Sequence, residues 1–322
     1  MKYAKELRTA VEAVRRASRI CRSVQSGLNG RALEKDDQSP VTVADFGSQA
    51  VICQALESAF PDDPIIGEED ADALRKHPEM LEQVAAEVRR HISDAASEAV
   101  CAWIDRGNAD RYEDRFWTLD PIDGTKGFLR GEQYAVALAL LVGGRVEVAA
   151  LACPNLRDET GTGVVFAAHR DEGTFRLPLA GGEGRTPVHV SSVSHPSEAR
   201  FCESVESAHS SHDEAAAVAE FLGIGKEPLR LDSQAKYGVV ARGDAEIYLR
   251  LTRHTGYVEK IWDHASGALV IEEAGGRVTD LKGRMLDFSR GIRLEGNAGI
   301  VATNGHVHDH VLEALERIPG SS

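Results

Sequence analysis

Leu119-Asp120-Pro121-Ile122-Asp123-Gly124-Thr125-Lys126-Gly127-Phe128 sets two carboxylates three residues apart, at the end of a strand-like run through Phe116, Trp117 and Leu119. Pro121 forbids simple continuation of that strand, and Gly124 with Gly127 leaves the backbone free to approach a ligand. A strand end that turns into a Gly-Thr loop offers carboxylate oxygens, which bind hard divalent cations. If a short helix follows, it also offers N–H groups to a phosphate oxygen. The stretch reads as a metal site that handles phosphate.

Two other readings compete. Asp-Pro and Asp-Gly are common turn formers, so Asp120 and Asp123 can serve as turn and cap residues alone. A covalent aspartate of the D-x-D-x-T type, as in haloacid-dehalogenase-like phosphatases, needs its carboxylates two residues apart, whereas these are three apart. The decision falls to carboxylates elsewhere. Glu68, Glu69 and Asp70 follow the short apolar run Ile65-Ile66, Asp45 stands at a helix start where it would cap free N–H groups, and Asp263 precedes an apolar helix ended by Gly275-Gly276. Asp45, Glu68, Asp120, Asp123 and Asp263 thus all fall at element boundaries, where α/β proteins place functional groups. If they converge they need cations, since clustered carboxylates otherwise repel and take up protons.

Composition narrows the partners. The 322 residues carry 51 acidic against 37 basic side chains, for a net charge of −14. Such a surface repels nucleic acid and anionic lipid, so a small anion would need local cations. Cys21, Cys53, Cys101, Cys153 and Cys202 are scattered without metal-site spacing, as expected of buried thiols in a reducing compartment. No window approaches a membrane span and no secretory core opens the chain, so cytoplasmic residence is the default. Leu7, Val11, Val14, Ser18 and Cys21 follow helical spacing, predicting a folded first helix with a solvated basic face.

Along the chain, Ile52, Leu56 and Phe60 mark a second helix. Residues 70–100 read as polar and helical, with Leu81, Val84 and Val88 on one face, and as a mobile insertion. Residues 135–151 predict a hairpin around Gly143-Gly144, and a second hairpin turns at Asp171 and Gly173. Pro178 to Pro187 is the clearest composition break, and beyond it strands alternate with helices in an α/β pattern.

Gly67-Glu68-Glu69, Asp120 to Thr125 and Trp262-Asp263, in this order and at these separations, resemble the lithium-sensitive, magnesium-dependent phosphatases related to inositol monophosphatase and fructose-1,6-bisphosphatase. Longer stretches resemble the 3′(2′),5′-bisphosphate nucleotidase branch: Ser39 to Asp45, Lys126 to Gly131, His209 to Asp213, Leu231 to Tyr237 and Lys260 to His264. The resemblance implies a layered αβαβα sandwich, α+β in residues 1–180, which carry most metal ligands, and α/β in residues 181–322. It implies two or three Mg2+ ions held by Glu68, Asp120, the Ile122 carbonyl, Asp123 and Asp263, with Asp120 as bridge. Thr125 would orient the attacking water, Asp45 would accept the Thr125 hydroxyl, Glu69 would assist at a weaker ion, and the Gly124 and Thr125 N–H groups would cradle phosphate.

For the nucleotide, the resemblance points to Ser233, Lys236 and Arg250, with His209 or His212. The implied reaction removes the 3′-phosphate of adenosine 3′,5′-bisphosphate without a covalent enzyme intermediate, and extends to 3′-phosphoadenosine 5′-phosphosulfate. An inositol or sugar phosphatase and a catalytically silent nucleotide sensor are the rivals, and the oligomeric state is left open.

Overall fold

The computed structural model describes residues 2–27, 33–34, 40–159, 161–182, 184–205, 212–251 and 258–318. Helix α1 (Ala4–Ser26) buries Val11, Val14, Ser18 and Cys21, the stripe its spacing predicts. A short antiparallel ladder pairs β1 (Leu33–Glu34) with β2 (Pro40–Val41), and α2 (Val43–Ala59) follows. Next come β3 (Ile65–Gly67), the helices α3 (Asp72–Arg75), α4 (Pro78–Arg89) and α5 (Ser97–Asp105), strand β4 (Arg115–Asp123) and the short α6 (Thr125–Leu129). An antiparallel run then lays down β5 (Ala135–Val142), β6 (Arg145–Asp158), β7 (Gly161–His169), β8 (Gly173–Pro178) and β9 (Thr186–Val188). The remainder alternates: β10 (Phe201–Glu203), α7 (His212–Phe221), β11 (Leu229–Arg230), α8 (Ala235–Ala241), β12 (Ile247–Arg250), α9 (Ala265–Glu273), β13 (Arg277–Thr279), β14 (Ile300–Thr303) and α10 (His308–Arg317).

Strands β3 to β9 form a seven-stranded sheet in sequence order, in which β3 and β4 run parallel and every later pair is antiparallel. A second sheet has the order β11-β10-β12-β14-β13. Three apolar clusters separate the layers. The first joins α1, α2, α4 and α5 to one face of the large sheet, and the second joins its other face to α8, α9 and the small sheet. The third packs the small sheet against α7 and α10. Helix, sheet, helix, sheet, helix is the αβαβα sandwich expected. The middle cluster takes residues from both sides of position 180, and β9 beyond it completes the large sheet.

Two expectations change. The 70–100 segment is built into the first core rather than mobile, because Val84 and Val88 with Ala85 are fully buried among residues of α1 and α2. The basic face of α1 is partly docked: Arg15 donates to the Pro178 carbonyl at 2.9 Å and Arg22 to those of Pro154 and Thr162, at 2.5 and 2.8 Å. Pro154 sits where the β6–β7 register slips between Cys153 and Arg157, and Thr162 and Pro178 lie near the ends of β7 and β8. The Pro178 to Pro187 break lies between two paired strands of one sheet. No helix among the described residues is long and apolar enough to cross a membrane.

Candidate active site

Parallel pairing of β3 with β4 sets Gly67 opposite Leu119, so the next residue on each strand, Glu68 and Asp120, meet side by side and share a side-chain hydrogen bond. Strand β4 does continue past Pro121, but its register against β5 slips between Asp120 and Asp123. That bulge accommodates a residue with no N–H and re-aims the second carboxylate. Ser48 of α2 pins the bulge by donating to the Pro121 carbonyl at 2.9 Å. Asp123 then accepts the Gln234 backbone N–H at 2.5 Å, which ties the β4 end to the segment before α8. Asp263 arrives from the other side, at the end of a single 3₁₀ turn, Ile261–Asp263.

The electrostatics report how crowded these groups are. Burial, then Glu68, Asp123 and Asp263, hold the Asp120 carboxyl well above its ordinary range. Asp263 is raised by burial and by Asp123, Glu259 and Glu68, against the pull of Arg250, and Asp123 is raised by burial in spite of Lys236 and Arg250. Asp120 is 2% exposed and its Oδ1 is buried without a hydrogen-bond partner. An orphaned carboxylate oxygen among like charges fits a divalent cation, which satisfies the oxygen and cancels the repulsion. Glu68, Asp120, Asp123 and Asp263 are therefore brought into one charge cluster.

Asp45 lies behind it. The N-cap of α2 is Thr42, not Asp45 as expected; Asp45 occupies the third helical position and its Oδ2 accepts the Thr42 N–H at 2.8 Å and hydroxyl at 2.6 Å, closing a capping box. Its Oδ1 faces the Thr125 hydroxyl at 3.5 Å, while the Ile122 carbonyl stands 3.2 Å from the same hydroxyl. Gly124, with φ 85°, turns the chain into α6; a Cβ there would stand 2.9 Å from the Ser233 Cβ, so only glycine fits. Asp263 does not cap α9, whose N-cap is His264 and makes no side-chain cap bond.

Among the nucleotide candidates, Ser233 adopts a left-handed backbone, φ 70°, and its Oγ accepts the Ala235 N–H at 3.1 Å. Lys236 is buried, donates to the Leu231 carbonyl at 3.3 Å and lies 5.2 Å from the Tyr248 ring; burial lowers its pKa against the pull of Asp123. Arg250 is half-buried and paired with Glu259 at 2.9 Å. His209 lies outside the described residues, as does the side chain of His212, whose backbone opens α7. Glu69 is buried, with its N–H and carbonyl both clamped by the Gln49 amide.

Sequence reasoning missed the groups that support these residues. Gln49 sits in the middle of a helix and gives no signal except that Gly67 and Gly107 leave room for its amide. Glu259, Asp263 and His264 bring three donor atoms within 4.8 Å of one another. Glu259 is brought down to about 2 because Arg250 and His264 outweigh its burial, whereas burial lowers His264. His264 follows Asp263 in the Lys260 to His264 stretch, so the signal was adjacent but unread.

Comparison with known proteins places the chain. A 3′(2′),5′-bisphosphate nucleotidase from Schizosaccharomyces pombe is 43% identical over 99% of this chain and 97% of its own length. One from Oryza sativa is 44% identical over 98% and 94%. Among solved structures, an inositol monophosphatase from Anabaena superposes with a TM-score of 0.65 at 22% identity, over 99% of this chain and 98% of its own. A Thermotoga maritima IMPase gives 0.68 at 20%, over 96% of each; at these identities the likeness speaks for the fold alone. With residues 2–319 matched by the model of the inositol monophosphatase family, and relatives this similar over nearly the whole length, the chain belongs to that family.

Proposed function

We propose that the protein is a Mg2+-dependent phosphatase that hydrolyses the 3′-phosphate of adenosine 3′,5′-bisphosphate to AMP and inorganic phosphate, and that it also accepts 3′-phosphoadenosine 5′-phosphosulfate. The observation that carries it is the full-length similarity to proteins named 3′(2′),5′-bisphosphate nucleotidase. The family implies a divalent metal, and the unpaired Asp120 oxygen among like charges fits one. Glu68, Asp120, the Ile122 carbonyl, Asp123 and Asp263 would hold two ions, with Glu69 beside a third.

Bound divalent cations would neutralise phosphate oxygens, acidify water and stabilise the departing alkoxide. The chain's own groups do the rest. Thr125, with Asp45 Oδ1 and the Ile122 carbonyl as acceptors for its hydroxyl proton, keeps lone pairs to accept a hydrogen bond from the attacking water and so to aim it. The Gly124 and Thr125 N–H groups face the phosphate at the strand-to-helix turn. Ser233, Lys236 and Arg250, with His209 or His212, supply the polarity a second phosphate and the base require in an acidic protein. The division near residue 180 then separates a metal-binding part from a nucleotide-binding part that contributes Asp263. Five buried, unpaired cysteines support residence in a reducing compartment such as the cytoplasm.

A phosphate-release panel tests this. Adenosine 3′,5′-bisphosphate, inositol 1-phosphate and fructose 1,6-bisphosphate are each supplied with Mg2+, with and without Li+. Preferred release from the nucleotide, inhibited by Li+, is expected. Preference for either of the others points to an inositol or sugar phosphatase, and no release from any points to a silent nucleotide sensor.

A further inference from the structure

Arg250, at the end of β12, stands between two carboxylates. Its Nε donates to Glu259 at 2.9 Å, while its Nη2 makes only a long ion pair with Asp263 Oδ2, at 3.6 Å and without a hydrogen bond. Glu259 is 3% exposed, and its other oxygen faces His264 Nε2 at 2.8 Å. His264 Nδ1 faces the Tyr237 hydroxyl at 2.9 Å, and both of these residues are buried. A carboxylate only accepts, so Nε2 of the neutral imidazole carries the proton, Nδ1 accepts, and the Tyr237 hydroxyl donates. Both oxygens of Glu259 and both nitrogens of His264 are thereby engaged. Although they lie within 4.8 Å of Asp263, these groups act as its support rather than as a metal site of their own.

We propose that Glu259, fixed by His264 and Tyr237, is a positioning residue that holds the Arg250 guanidinium off Asp263, leaving that carboxylate to a divalent cation. An arginine this close to a buried carboxylate would otherwise close into a charge-assisted pair and put a fixed internal cation where an exchangeable one belongs. Glu259 prevents this in two ways. It offers a nearer acceptor, and its charge offsets part of the arginine's pull, so Asp263 keeps its demand for a cation. The proposal rests on the assignment of Asp263 as a metal ligand.

The test is calorimetric titration of the EDTA-stripped full-length chain with Mg2+ alone, with folding followed by circular dichroism. Glu259→Gln is expected to bind Mg2+ on the order of tenfold more weakly, the scale on which partners of metal ligands act. Adding Arg250→Met to Glu259→Gln removes the competing cation and returns the affinity toward wild type. Wild-type affinity in Glu259→Gln overturns the proposal. So does a double variant as weak as the single one, since Glu259 would then act by its own charge or as a ligand. If Glu259→Gln does not fold, Arg250→Met alone decides: binding at least as tight as wild type supports the proposal and weaker binding overturns it. Asp263→Asn is the control, because wild-type affinity there removes the ligand assignment itself rather than the role of Glu259.

Discussion

Asp120→Asn should act in opposite directions on the metal-free and the metal-bound protein. Asp120 is buried, one of its oxygens has no partner, and Glu68, Asp123 and Asp263 all disfavour its charge. An amide of the same shape removes that charge and gives Glu68 a donor. Relief of an unsatisfied buried group is worth about 1–3 kcal/mol, or a rise in Tm of roughly 1.5–4.5 °C for a chain of this size. Mg2+ at one hundred times its Kd stabilises the wild type by about 2.7 kcal/mol, again several degrees, and the variant should lose that gain because its bridging ligand is gone. Calorimetric melting at pH 8, in EDTA and in Mg2+, measures both effects, and phosphate release should fall to background. A variant that melts lower than wild type in EDTA and keeps its Mg2+ gain would refute the crowded-carboxylate account.

Other outcomes follow from single contacts. Thr125→Ala should lower kcat by about 10²–10⁴ with Mg2+ binding intact, and Thr125→Ser should recover most of the loss; a normal kcat in the alanine variant removes Thr125 from water orientation. Gly124→Ala should cost on the order of 1–3 kcal/mol in urea unfolding, from its φ of 85° and the Ser233 Cβ 2.9 Å away. An unchanged midpoint contradicts that packing. His308 is pushed down to about 4 by burial, then by Arg277, and its ring lies between the Thr279 and Thr303 hydroxyls at 3.0 and 2.9 Å. A depressed histidine contributes stability that is fully present above its unfolded value near 6.5 and is lost as pH falls toward about 4. The Tm advantage of wild type over His308→Gln should therefore shrink between pH 7 and pH 5, and a constant advantage contradicts the shift.

Much of the site was legible because its ligands are local. Asp120 and Asp123 lie in one turn, and Glu68 follows a short strand whose parallel pairing with β4 puts it beside Asp120. The hairpins around Gly143-Gly144 and Gly173 were readable because turn residues and alternating apolar runs are also local signals. What the sequence hid depends on tertiary partners. Glu259 acts through Arg250 on another element and through His264 behind it, so nothing in its own neighbourhood marks it. The burial of α4 looked optional because a polar helix with a narrow apolar stripe docks only if another helix offers a face, which α2 does. Arg15 and Arg22 looked solvated for the same reason, since their acceptors are sheet carbonyls far along the chain. The left-handed backbone of Ser233 beside Gly124 follows from the approach of two loops, which no local rule predicts.

Phosphorus NMR of adenosine 3′,5′-bisphosphate incubated with the protein tests the central claim most directly. With Mg2+, the 3′-phosphate signal should give way to inorganic phosphate while the 5′ signal persists as AMP, and EDTA should stop the change. Loss of the 5′ signal instead, or release that continues undiminished in EDTA, would contradict it.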